Sequence, residues 1–248
     1  HDYLPVTINR HIEIYKLIFE HGIKTLIAPV FGDDILERGS EYDKVAIHGL
    51  RQLLENPLFR EFYASHQVRV RFYGEYQQAF RGTEYEVLIP LFEQLSAETA
   101  AYTEHRLFFG LFAGNAADSI ARLSVEHYLA TNEVPQSAKL IELYYGEAIE
   151  RADFFIGFDK FAAFDMPLLA DGYEDLYFTV RPSLYLTAVQ LRTILYDHLY
   201  ARPIEPDYAT MTAEDWAFMK QFYETHQHHT FGVGFVEPNS QVWYPKMN

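Results

Sequence analysis

The segment FGDDILERGSEY (31–42) places Asp33, Asp34 and Glu37 directly after an apolar run, TLIAPVF (25–31). Residues three and four apart share a face of a helix or turn. Carboxylates spaced as D-D-x-x-E are hard oxygen donors that could hold Mg²⁺ and, through it, a diphosphate. A solvated acidic loop is the competing reading, because charge runs usually face water. All-helical terpene synthases carry a similar Asp-rich motif on a helix. Here the motif follows a strand pattern, so that fold fits poorly.

A second cluster is His226, His228 and His229. Histidines suit a metal, but no carboxylate at matching spacing supports one, and a polar loop accounts for the cluster. His11, His21, His105 and His198 are single histidines on helices or at strand ends, read as structural. The chain has no G-x-S-x-G. GVGF (232–235) lacks the third glycine and the following helix of a dinucleotide site, and no P-loop lysine motif occurs. Serine-hydrolase, dehydrogenase and kinase chemistry therefore lack support.

The elements that must position these residues read as alternating helices and strands. Helices are expected over 7–21, 44–55, 84–102, after Asn115, over 137–150, 187–200 and 213–225. Strands are expected over 24–31, 68–74, 106–114, 153–158 and 175–180. Such alternation implies an α/β fold, a parallel sheet covered by helices on both faces, here within a single domain spanning 1–248. Ligands of such sheets bind beyond the carboxyl ends of the strands. FGDD, FYGEY, FAGN and IGFDKFAAFD all follow strand ends, so all four are expected at one edge.

The 248 residues carry a formal charge of −15 and no basic cluster, which excludes extended nucleic-acid binding and docking on an anionic membrane. There is no cysteine, hence no disulfide, thiolate nucleophile or Cys–zinc site, which is consistent with a reducing cytoplasm. No apolar run is long enough to span a membrane. Nineteen Tyr and 20 Phe supply either a bulky core or an aromatic pocket for an apolar or cationic ligand.

Taken in order, these segments resemble the cis-prenyltransferase (undecaprenyl diphosphate synthase) family. DLYFT (175–179), APVFGDD (28–34) and VRVRFYGE (68–75) carry the likeness. IFEHGIKTLIAPVFGDDILERG (18–39), TEHRLFFGLF (103–112), ELYYGEAIERADFFIGFDKFAAFDMPLL (142–169), LRTILYDHLYAR (191–202) and FGVGFV (231–236) are similar to its tuberculosinol synthase and tuberculosinyl adenosine transferase branch. A kolavelool-forming branch is related. The resemblance covers nearly the whole chain. It implies an enzyme that ionises a bicyclic C20 allylic diphosphate, with Mg²⁺, and captures the cation with water to give a diterpene alcohol. Transfer to adenosine is the alternative outcome, and a non-catalytic, partner-binding subunit is a third. A homodimer is also implied.

The same resemblance places Asp33, Asp34 and Tyr42 at the reacting centre and Tyr3, Tyr73, Glu75 and Asn115 at the substrate. Asn115 is also open to reading as a helix cap. Trp243 is placed to close the pocket, and Asp175 stands where the wider family carries a metal-binding Glu. Two departures matter. GFDKFAAFD (157–165) replaces the Arg-rich segment that binds a second diphosphate, so chain elongation is not expected. The family's first motif, D-G-x-x-R, has no counterpart in HDYLPVTINR (1–10), and a preceding segment is expected to carry it. On this resemblance Asp34→Asn is expected to lower diphosphate release by about 100-fold or more. Unchanged turnover would remove the acidic loop from the site.

Overall fold

The computed structural model describes residues 3–32, 40–113, 116–158 and 161–247, with the side chains of 3–6 and 40–44 outside that description. The chain divides into two compact units. One comprises residues 1–153 and 163–174, the other 154–162 and 175–248.

The first unit is built on β1 (Thr25–Phe31), β2 (Val68–Tyr73) and β3 (His105–Leu111) in the order β1-β3-β2, both pairings parallel. Thr25 and Val68 pair with Arg106 and His105, so the three strands start and end together. In central β3, Leu107, Phe108, Phe109 and Leu111 are fully buried, as a strand covered on both faces must be. Phe109 meets Tyr15 of α1 (Tyr3–Glu20) and Phe72 of β2, and Phe72 meets Phe92 of α5 (Ile89–Glu98). Phe108 and Tyr73 meet Tyr145 of α7 (Ser137–Tyr145) on the opposite face.

The expected parallel sheet with helices on both faces is therefore present, and several boundaries differ. The single helix expected over 84–102 is a 3₁₀ segment, Glu84–Leu88, followed by α5. Pro90 lies in the first turn of α5, where its missing N–H is harmless. The helix after α2 (Ser40–Glu55), namely α3 (Pro57–Ser65), was not expected. Its signal was Asn56-Pro57: the Asn56 side chain accepts from the Leu58 N–H and Pro57 opens the helix. The short α4 (Tyr76–Phe80) follows β2, and α6 (Ala117–Thr131) follows β3.

The second unit holds β4 (Phe154–Phe158) parallel to β5 (Asp175–Thr179). Then come α8 (Ala188–Tyr196) and α9 (Ala213–His226), each opened by a reciprocal capping box, Thr187 with Gln190 and Thr212 with Asp215. An unexpected antiparallel pair, β6 (Gly234–Val236) and β7 (Trp243–Pro245), closes the chain. Helix α8 passes at Asp197 into one π-type turn, 197–201, instead of continuing as α-helix to residue 200. Among the described residues no helix is long and apolar enough to cross a membrane.

Gly74 turns the chain out of β2 with φ +98°, and a Cβ there would overlap the Leu111 carbonyl oxygen. Gly22 also has a positive φ but faces open space. Gly22→Ala is expected to cost about 1–2 kcal/mol of backbone strain. Gly74→Ala should cost clearly more than about 3 kcal/mol, since a rigid backbone clash adds to the strain. Denaturant unfolding of both variants checks the ranking, and equal losses would contradict it.

Candidate functional site

The parallel register sends the ends of β1, β2 and β3 to one edge of the sheet, which brings Phe31 and Gly32, Tyr73 to Glu75, and Phe112 and Ala113 together there. Asp33, Asp34 and Asn115 themselves lie outside the described residues, as does Glu37. Tyr3 opens α1 and Tyr42 lies in the first turn of α2, their side chains likewise outside the description. The cap position of α6 is Ala116, with no side-chain cap bond.

What the edge does describe begins with Glu75. Its N–H donates to the Phe112 carbonyl at 3.1 Å, tying the ends of β2 and β3. Its side chain does not cap α4. Both carboxylate oxygens instead accept from one Arg122 amino group on α6, at 3.1 and 3.4 Å. Arg122, half exposed, also reaches Glu126 one turn on. An arginine shared between carboxylates at a strand-end edge retains donors for an anionic substrate group. The sequence offered no sign that this arginine differs from other surface arginines.

Tyr73, 1% exposed, turns its hydroxyl away from solvent and donates to the Asp165 carbonyl at 2.7 Å. Tyr145 donates to the Pro167 carbonyl at 2.7 Å. These two bonds moor the 165–167 segment on the first unit's sheet, so the end of IGFDKFAAFD does reach this edge. Gly110 makes room for Tyr73, whose hydroxyl would lie 2.5 Å from a Cβ at that position. Tyr144 packs against both rings, 6.1 and 5.0 Å between centroids, and its buried hydroxyl has no hydrogen-bond partner among the described residues. Burial pushes all three phenols well above their usual range, and Glu75 and Asp165 add to the effect at Tyr144. They remain neutral donors rather than bases. Phe31, Phe80, Tyr85 and Phe112 pack on one another beneath the strand ends, so these rings are core.

The second unit places Asp175 at the start of β5. One carboxylate oxygen meets His198 Nδ1 at 2.7 Å and the other meets Arg202 at 3.1 Å. Arg202 also donates to Asp197 at 2.6 Å, and the Tyr177 hydroxyl donates to the same Asp197 oxygen at 2.7 Å. An Asp whose oxygens are both engaged, one by a guanidinium, is an ion-pair anchor and poorly suited to ligate a metal. The Arg202 guanidinium repels a cation as well. Among the described residues no group of three or more His, Asp or Glu could hold a metal ion. His226 is engaged through Nδ1 with the Phe222 carbonyl, as a helix-end histidine. Trp243 is half-buried and pairs through β7 with Val236. A groove lined by Gln77, Arg81, Glu86, Ile89, Pro90 and Glu93 is too polar for a hydrocarbon chain.

No protein-family model matches the chain. The curated tuberculosinyl adenosine transferase of Mycobacterium tuberculosis (strain CDC 1551 / Oshkosh) is 40% identical over 246 residues, covering 98% of this chain and 82% of that protein. The chain belongs to the tuberculosinyl adenosine transferase family. That is a family of enzymes, and its fold is shared more widely. A probable undecaprenyl diphosphate synthase from Campylobacter jejuni superposes with TM-score 0.60 at 15% identity, covering 81% of this chain and 92% of that one. Lavandulyl diphosphate synthase from Lavandula x intermedia, in complex with dimethylallyl diphosphate, gives 0.61 at 16% identity, covering 77% and 83%. This member of the tuberculosinyl adenosine transferase family thus has the cis-prenyltransferase fold.

Arg202, then the Tyr177 hydroxyl, holds the Asp197 carboxyl below the usual carboxylate range. The stability this confers is present above that range and is lost as pH falls through the lowered pKa. The group is exposed, so the effect is small. The Tm advantage of wild type over Arg202→Gln should therefore be positive near about pH 7 and close below about pH 4. Thermal melts across that range check it, and an advantage that widens in acid would refute the assignment.

Proposed function

We propose that the protein ionises a bicyclic C20 allylic diphosphate, kolavenyl or halimadienyl (tuberculosinyl), and delivers the diterpenyl cation to a small nucleophile. The observation that carries this reading is the 40% identity to a tuberculosinyl adenosine transferase over 98% of the chain. In the reaction the allylic C–O bond breaks and its electron pair leaves with diphosphate. A lone pair on the nucleophile then forms the new bond to carbon, and a base accepts the proton the nucleophile sheds.

The residues at the strand-end edge suit these steps. Arg122 offers charge-assisted hydrogen bonds to the leaving diphosphate. Asp33 or Asp34 is the proton acceptor in this reading, with Tyr42 beside it. Tyr3, Glu75 and Asn115 contact the substrate in this reading. The Tyr73 hydroxyl is committed to Asp165, so its part is to position that segment. Asp33, Asp34 and Glu37 are hard-oxygen donors of the type that suits Mg²⁺, which would neutralise diphosphate charge. A homodimer belongs to the same reading, supported by exposed Phe218, Phe222 and Tyr223 on α9. So does a cytoplasmic setting, on the absence of cysteine.

Two acceptors are consistent with this chemistry. Water gives a diterpene alcohol and demands no acceptor pocket, which is the reading of the sequence. Adenosine gives a nucleoside adduct and is favoured by the relative's name. Incubation with each diphosphate and Mg²⁺, with and without adenosine, separates them by mass spectrometry. A tertiary alcohol indifferent to adenosine makes the protein a water-quenching synthase. An adduct makes it a transferase, and absence of diphosphate release from either substrate overturns the reading. EDTA is expected to stop release.

A further inference from the structure

Three arginines surround one carboxylate at the end of the first unit's sheet opposite the strand-end edge. Arg69 and Arg71 lie two apart on β2, and Arg69 pairs with Arg106 across β3, so all three project from the same face. Glu147, delivered just past the left-handed Gly146 that ends α7, meets Arg69 at 2.8 Å, Arg71 at 3.4 Å and Arg106 at 3.8 Å. The arginine side chains are 22–29% exposed and Glu147 is 17% exposed, so these charges are only partly hydrated.

The charge does not balance. Three guanidiniums face one carboxylate, and no other carboxylate among the described residues lies within ion-pair distance of them. The α7 C-terminus adds about half a negative charge. The cluster keeps an excess of roughly +1.5 by that count, on a chain whose net charge is −15. The donors do not balance either. Arg69 uses Nε on the Tyr102 carbonyl and Nη1 on Glu147. Arg71 uses Nη1 on the Val70 and Ser96 carbonyls, and Arg106 uses Nε on Thr25 and Nη1 on the Ala148 carbonyl. The Nη2 amino group of each arginine has no hydrogen-bond partner among the described residues. A purely structural clamp for the α7 end needs one arginine against Glu147. Three, only partly exposed and each with a spare amino group, present donors that a counter-anion with several acceptor oxygens would fill, although Glu147 Oε2 is itself buried without a hydrogen-bond partner among the described residues.

We propose that this cluster is an oxyanion site of the phosphate class, separate from the edge that carries the proposed reaction. It would take a tetrahedral, multiply charged group, either free phosphate or the phosphate of a larger ligand. Carboxylates offer fewer acceptors and chloride offers no geometry for the forks.

Glu147 competes with the anion while holding the arginines, and this gives a test whose two arms have opposite signs. Hydrogen–deuterium exchange and thermal melts on the full chain would be run with inorganic phosphate and with chloride at matched ionic strength. In wild type, phosphate should raise Tm and protect peptides covering 68–73, 105–111 and 146–150. Arg71→Gln should weaken phosphate binding at least tenfold. Glu147→Gln, less stable without ligand, should tighten it about tenfold and show the larger Tm gain. AMP in place of phosphate separates the sources: tighter binding than phosphate indicates a larger phosphate-bearing ligand, and equal or weaker binding indicates the free anion. Absence of protection at those peptides, or weaker phosphate binding in Glu147→Gln as well, would overturn the proposal.

Discussion

The first unit depends on the 107–111 stretch of β3 having no exposed face. A parallel strand hydrogen-bonded on both sides and covered above and below must be apolar throughout, and LFFGL is. Its central place makes β1 and β2 parallel neighbours, and their common register makes all three carboxyl ends coincide. Gly32, Glu75 and Ala113 are brought to one edge by main-chain pairing alone. Side-chain chemistry at that edge is a consequence of backbone order.

Covering both faces of so narrow a sheet requires large side chains, which explains the aromatic excess. Phe72, Phe92, Phe109 and Tyr15 fill one face, and Tyr73, Tyr145 and Phe108 fill part of the other. The second face changes character along its length. Toward the strand ends it carries Tyr73, whose ring needs the missing Cβ of Gly110. Toward the strand starts, the same side of β2 carries Arg69 and Arg71. Helix α7 answers both halves, with Tyr144 and Tyr145 over the aromatic half and Glu147 over the charged half. The unpartnered Tyr144 hydroxyl is a cost the fold carries there, since Phe would pack as well without desolvating a polar group.

In the second unit a different logic holds. Asp175 and Asp197 are joined through Arg202, and the π-type turn at 197–201 supplies both Asp197 and His198 to that network. Arg202 also lies over the Tyr177 ring at 4.7 Å. The network fixes the end of α8 against β5. That structural duty engages both carboxylate oxygens of Asp175.

The sequence by itself determined the alternation of elements, the parallel sheet and the edge where the first unit's strands end, because apolar periodicity and strand-end rules are local. Its long motifs also pointed to the family. It did not reveal the break at Pro90, the helix at Pro57 or the π-type turn, where one residue's backbone decides. Nor did it reveal which polar side chains find partners. Resemblance marked Tyr73 and Asp175 as substrate and metal residues, and nothing in the sequence signalled that the Asp165 carbonyl engages the first and Arg202 and His198 the second. Arg122 looked like any helical arginine until it reached Glu75 across 47 residues of sequence. The gathering of Arg69, Arg71 and Arg106 on Glu147 depends on cross-strand register and on where α7 ends. Partner choice among polar groups is settled by contacts distant in sequence, and only the tertiary structure brings those groups within hydrogen-bond reach.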